Sequence, residues 1–211
     1  QIVEDRLKAM VPPGKSVEMM NFAVSDYSTL ESLYQLEQDV LKFSPDVVML
    51  VAHGGERNRV ANKMALRIHH GHPLTFDYLN RLKRELVLVD GAAYSDCVRS
   101  LRPHGKDILQ WAYLEMAHIC KNASAKPVWV FLPTMRRVGA ENHGPMEKLA
   151  ASAGFTTVIL NEPYGGTDPE TLKITETNYH PNGRGHAFIA ESLLQALMSH
   201  PEILGFPLKT R

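Results

Sequence analysis

Pro45-Asp46-Val47-Val48-Met49-Leu50-Val51-Ala52 runs directly into His53-Gly54-Gly55-Glu56-Arg57-Asn58-Arg59. The apolar run from Val47 to Ala52 is unbroken, which is the pattern of a parallel strand covered on both faces. A polar, glycine-rich loop follows it at once. Open α/β sheets place their ligands outside the carboxyl ends of such strands.

Working outward, the same alternation of element types repeats. Gln1 to about Met10 reads as the tail of an amphipathic helix, ended by Val11-Pro12-Pro13-Gly14. Val17 to Val24 is a short, mostly apolar run expected to be a buried strand. Ser25 to Thr29 is a turn that can cap a helix carrying the stripe Leu33, Tyr34, Leu36, Val40 and Leu41. Ser44-Pro45-Asp46 stops that helix. Val60 to Val89 reads as mainly helical with a break at Gly71-His72-Pro73. Asp90 to Lys106 is polar and mixed and is expected to be a loop or lid-like insertion. Asp107 to Cys120 is a strong helix. Pro127 to Leu132 and Thr156 to Leu160 are further strands, with a short helix from Met146 to Ala153 between them. Asn161 to Thr177 is irregular, and a last helix closes the chain. Strand and helix in alternation predict an α/β fold, a three-layer α/β/α sandwich on a parallel sheet, formed as one domain over residues 1–211.

Composition narrows the function classes. The chain has 211 residues, with 44% hydrophobic and 22% charged residues, ordinary for one globular core. Lys plus Arg and Asp plus Glu are 23 each, so no bulk charge draws the chain to nucleic acid or to an anionic membrane. No apolar run is long enough to span a bilayer, no signal peptide is visible at Gln1, and no feature assigns a compartment. Cys97 and Cys120 lack any ligand spacing and read as two buried thiols or one disulfide. The His69-His70 and His72 cluster lacks a Cys or carboxylate at ligand spacing, so no metal is expected there. Asn122-Ala123-Ser124 fits a glycosylation sequon.

Chemistry concentrates near the end, at Asn178-Tyr179-His180-Pro181-Asn182-Gly183-Arg184-Gly185-His186. Pro181 pushes His180 towards an extended backbone, and Asn182 can cap the following helix. An imidazole is thereby delivered at a loop–helix junction.

Taken in order, Asn21 to Ser28, the Pro45–Asp46 strand with its Gly54–Asn58 loop, and His180-Pro181-Asn182 with Gly185-His186 resemble the SGNH (GDSL-type) ester hydrolases. The resemblance covers essentially the whole chain and implies a flavodoxin-like sheet. It implies that a serine attacks an acyl ester of a small or carbohydrate-like alcohol, with no metal or organic cofactor. By motif position His180 is the base and Asn178 its orienting partner. Asn58, Gly54 and Gly55, with Ser25 and Asp26 in the turn after Val24, line the oxyanion and substrate side. One oxyanion donor accounts for about 2.7–4 kcal/mol in such enzymes.

Several positions depart from that pattern. No Gly-Asp-Ser occurs, and the first strand that would carry it is missing. An upstream segment is therefore expected to complete the sheet. Asp26 stands where the family has Gly. Aligning Gly54 with the family Gly puts Glu56 at the Asn position, and Asn58 serves there only in a longer loop. Asn58 otherwise caps the helix near Val60, and Glu56 otherwise reads as a solvated carboxylate. Thr177 and Asn178 occupy the acid's place, and an amide there favours the wrong imidazole tautomer. Two other readings stay open: a catalytically impaired SGNH-like domain that binds a partner or glycan, and a doubly wound domain of some other enzyme.

Overall fold

The computed structural model describes residues 2–135, 142–160 and 162–208. The chain has an α/β fold with a parallel sheet flanked by helices, divided into two compact units. The first comprises Gln1–Phe22, Asp46–Gly54 and Ser124–Arg211, the second Ala23–Pro45 and Gly55–Ala123.

The first unit holds the sheet. Strands β1 (Val47–Ala52), β2 (Lys126–Phe131) and β3 (Thr156–Ile159) pair in parallel in that order. The register sets Leu50 beside Trp129 and Val130 beside Val158. The Asp46 and Ala52 carbonyls accept from Lys126 and Leu132, so even-numbered backbone groups of β1 face β2. The odd ones, at Val47, Met49 and Val51, face the open edge. Pro127 is tolerated in β2 because its missing donor lies on the β3 side, before that ladder begins at Val128.

Side chains sort by the two-residue period of the pleat. Val128, Val130, Val158 and Leu160 form one core with Leu7 of α1 (Ile2–Lys8). Leu194 and Leu197 of α8 (Gly183–Ser199) and Ile203 of α9 (Pro201–Leu204) join the same core. Burying each such side chain contributes about 1.5–3 kcal/mol. Trp129 and Phe131 point to the opposite face, their rings 5.9 Å apart. Helix α7 (Gly144–Ala153) links β2 to β3 and ends on Gly154, whose φ of +103° suits glycine. Val51, at the open edge, is 49% exposed, so β1 is not covered throughout as its sequence predicts.

The expected strand at Val17–Val24 does not form. The backbone from Val17 to Val24 has no ladder. The period-two pattern itself is real: Val17 and Met19 pack on the core beside Val47 and Met49, and Glu18 and Met20 face solvent. Apolar alternation sets which side chains turn inward, but a strand also needs a hydrogen-bonding neighbour.

The second unit is helical. Helix α2 (Thr29–Gln38) starts at a capping box in which Ser28 and Glu31 satisfy each other's backbone ends. The predicted continuation to Leu41 tightens into a 3-10 turn at Val40–Phe43. Helices α3 (Glu56–His69), α4 (Asp77–Glu85), α5 (Tyr94–Leu101) and α6 (Gly105–Asn122) follow. Gly105 is required where α6 crosses α3: a Cβ there would stand 2.3 Å from the Arg57 carbonyl oxygen. Helix α5 corrects the lid-like insertion expected at Asp90 to Lys106. Tyr94, Cys97, Val98 and Leu101 fall at helical spacing, and Cys97 and Leu101 are fully buried, so packing overrides the polar composition. Both cysteines are free buried thiols. No described helix is long and apolar enough to cross a membrane.

Candidate functional site

His180 sits on a tight excursion of the chain in the first unit. Lys173 and Pro181 form an isolated antiparallel bridge, and the Ile174 N–H donates to the His180 carbonyl at 3.0 Å. Asn182 fastens the base of this excursion. Its Oδ1 accepts from Arg184 and Gly185, both at 3.0 Å, capping α8. Its Nδ2 donates to the Thr171 and Lys173 carbonyls at 3.3 and 3.2 Å. Gly185 lets the loop lie this close, since a Cβ would meet Pro181 Cβ at 2.9 Å and the Leu172 carbonyl at 3.1 Å. Lys173 stands over the Tyr179 ring at 4.7 Å and is ion-paired to Glu170, which holds its pKa up.

The ring of His180 is oriented by Asn178. The Asn178 Oδ1 accepts from the His180 backbone N–H at 3.1 Å and lies 2.7 Å from Nδ1. A backbone N–H can only donate, so the amide must turn its oxygen to this side. Nδ1 therefore carries a proton, and Nε2 of the neutral ring keeps its lone pair. The tautomer is the one a base needs, which corrects the expectation that an amide at Asn178 favours the other. The deciding element is the second donor, the backbone N–H, which fixes the amide.

His53 leaves β1 at its carboxyl end, half-buried. Its Nδ1 lies 2.8 Å from the Leu132 carbonyl oxygen, at the end of neighbouring β2. A carbonyl accepts only, so here too Nδ1 is the donor. Gly54, the next residue, begins the turn out of the strand. A groove between α1 and α8, lined by Ile2, Arg6, Arg184, Phe188, Glu191 and Leu194, does not include either histidine.

The remaining sequence-predicted residues belong to the second unit. Gly55 is the N-cap of α3 with φ +87°. Asn58 is thus not on a loop, nor is it the cap near Val60: its N–H already donates to the Gly55 carbonyl within the first turn of α3, and its side chain is exposed. The helix starts early because Gly55 supplies the left-handed entry and Glu56 the acidic first turn. Glu56 is not a solvated carboxylate. It is 6% exposed and accepts a hydrogen bond from the Thr29 hydroxyl at 2.9 Å.

Ser25 is exposed in the turn closed by the Tyr27 N–H and the Val24 carbonyl, at 3.3 Å. Asp26 holds the left-handed third position of that turn, φ +66°, a conformation that glycine takes most readily. Its carboxylate is 78% exposed and is engaged by Lys63, with Arg59 3.6 Å away. The Lys63 hydrogen bond holds its pKa down. Ser28 is buried and committed to the cap of α2.

Sequence reasoning passed over His53. The available signal was its place, the first residue after the clearest strand. Comparisons with protein-family models, with curated proteins and with solved structures find no match to this chain.

Proposed function

We propose that the chain is an SGNH-type ester hydrolase domain that cleaves an acyl ester of a small or carbohydrate-like alcohol by serine–histidine chemistry. The observation that carries this reading is His180: Nδ1–H held by Asn178, Nε2 left as a base, at the entry to α8 of a parallel α/β fold. In the reaction Nε2 takes the proton of the serine hydroxyl as its oxygen bonds to the ester carbonyl carbon. The tetrahedral oxyanion collapses, the C–O bond to the alcohol breaks, and the imidazolium returns its proton to the departing alkoxide. Water then repeats the sequence on the acyl-serine, releasing the acid.

The reading assigns oxyanion stabilisation to Gly54, which follows β1 in the same unit as His180. No Gly-Asp-Ser occurs in these residues, and the reading assigns the attacking serine to none of them. A second reading, a glycan- or partner-binding domain of the same fold, is favoured by the amide at Asn178 and by the commitment of Ser28 to a helix cap.

The test is hydrolysis of an aryl acetate by the full-length polypeptide and its His180→Ala variant. We expect turnover that falls about 10²–10⁴-fold in the variant, the range for loss of a general base. Equal rates remove His180 from the chemistry. Absence of turnover in the parent supports the binding reading.

A further inference from the structure

His53 and His180 lie on different segments of the first unit yet share one arrangement. In each, Nδ1 donates to an oxygen that cannot donate back. In each, Nε2 is then an acceptor in the neutral ring. Among the described residues the Nε2 of His53 has no hydrogen-bond partner. Its Nδ1 bond ties the ring across the carboxyl ends of two adjacent parallel strands, the place where such sheets bind ligands. The ring is half-buried, so it is held yet reachable. His69 also bonds a carbonyl, that of Ala92 at 2.9 Å, but it ends α3 and follows no strand, with its ring 4.9 Å from that of His70. Location separates the two. A metal role does not fit His53, because no group of three His, Cys, Asp or Glu among the described residues is placed to hold one.

Resting on the hydrolase reading, we propose that His53 is a substrate-binding residue whose Nε2 accepts a hydrogen bond from a hydroxyl of the ester's alcohol. An acceptor of this kind selects a hydroxylated, carbohydrate-like alcohol over a plain aryl or alkyl one.

The experiment compares the full-length protein with His53→Leu and His53→Gln on an O-acetylated monosaccharide and on an aryl acetate without hydroxyls. For His53→Leu, kcat/KM on the sugar ester is expected to fall about 10–100-fold, the loss of one site hydrogen bond. The aryl acetate should stay within about twofold. His53→Gln can still donate to Leu132 and still accept, and should recover part of the loss. Equal loss on both esters, or no loss on either, overturns the proposal. If the parent cleaves neither ester, the hydrolase reading fails by itself. His53 is then judged by imidazole nitrogen NMR during titration with the acetylated monosaccharide. A saturable shift at His53 Nε2 supports the proposal, and an unmoved signal overturns it.

Discussion

Replacing Asn178 by Asp changes one atom in the partner of His180 and adds a charge. The geometry for the charge is already in place, with Oδ1 2.7 Å from Nδ1 and 3.1 Å from the backbone N–H. At about 4 Å between charge centres a carboxylate stabilises the imidazolium by roughly 1 kcal/mol at water-like screening and about 4 kcal/mol at an effective dielectric of 20. Both residues are exposed, which puts the expected gain at the lower end. A value of about 1–2 kcal/mol corresponds to roughly 5–30-fold in turnover. The familiar cost of about 10⁴ for an amide in a serine triad includes a wrong tautomer. Here the tautomer is already correct, so most of that factor has nothing to restore. The assay is aryl acetate turnover at neutral pH by the parent and by Asn178→Asp in the full-length polypeptide. A gain near 10⁴ would refute the tautomer assignment. No gain would refute the role of Asn178 as the partner of a catalytic base.

Asn182→Ala removes two cap bonds and two clamp bonds, and should lower stability by about 1–2 kcal/mol from the cap alone, read by denaturant unfolding. Asn182→Asp keeps the cap but aims a carboxylate at the Thr171 and Lys173 carbonyls. It should impair ester turnover more than it lowers the melting temperature. Gly185→Ala gains at most about 1 kcal/mol of helix preference but drives a Cβ into Pro181 and the Leu172 carbonyl, which costs about 1–3 kcal/mol. A net loss in melting temperature is expected. Burial pushes the Cys120 thiol up to about 11 from 9.0. The folded state therefore keeps this proton between about pH 9 and 11 while the unfolded chain releases it, and stability falls as pH rises through that window. Relative to Cys120→Ala, the parent should lose about 2–3 kcal/mol by pH 11, measured by unfolding at a series of pH values.

The sheet was legible because its signals are local. β1 is apolar over its whole length, and β2 and β3 end at Phe131 and Ile159, shortly before Pro133 and Asn161, so each strand carries its own boundaries. The misreadings share one physical cause, the dependence of backbone state on partners distant in sequence. Val17–Val24 has the side-chain pattern of a strand, but its hydrogen bonds depend on a neighbour that the segment itself does not specify. Helix α5 looked polar because its exposed face carries Ser95, Asp96 and Arg99. Its buried face, Cys97 and Leu101, gains meaning only from packing within the helical unit.

The chemistry was legible to a different depth at each histidine. At His180 the flanking Pro181, Asn182 and Gly185 are sequence neighbours, so the junction could be read, down to the cap. The tautomer could not, because residue identity says that Asn178 offers an oxygen and an amine but not which of them faces the ring. His53 shows the stronger form of the same limit. Its partner is a backbone carbonyl 79 residues away, and every residue has one of those. A carbonyl leaves no side-chain signature, so the bond that holds the ring is invisible until β1 and β2 are set side by side. Position can be inferred earlier. A polar side chain at the first residue past a buried parallel strand is already at the sheet's ligand edge, and an imidazole there has one nitrogen to anchor it and one to spend on a ligand.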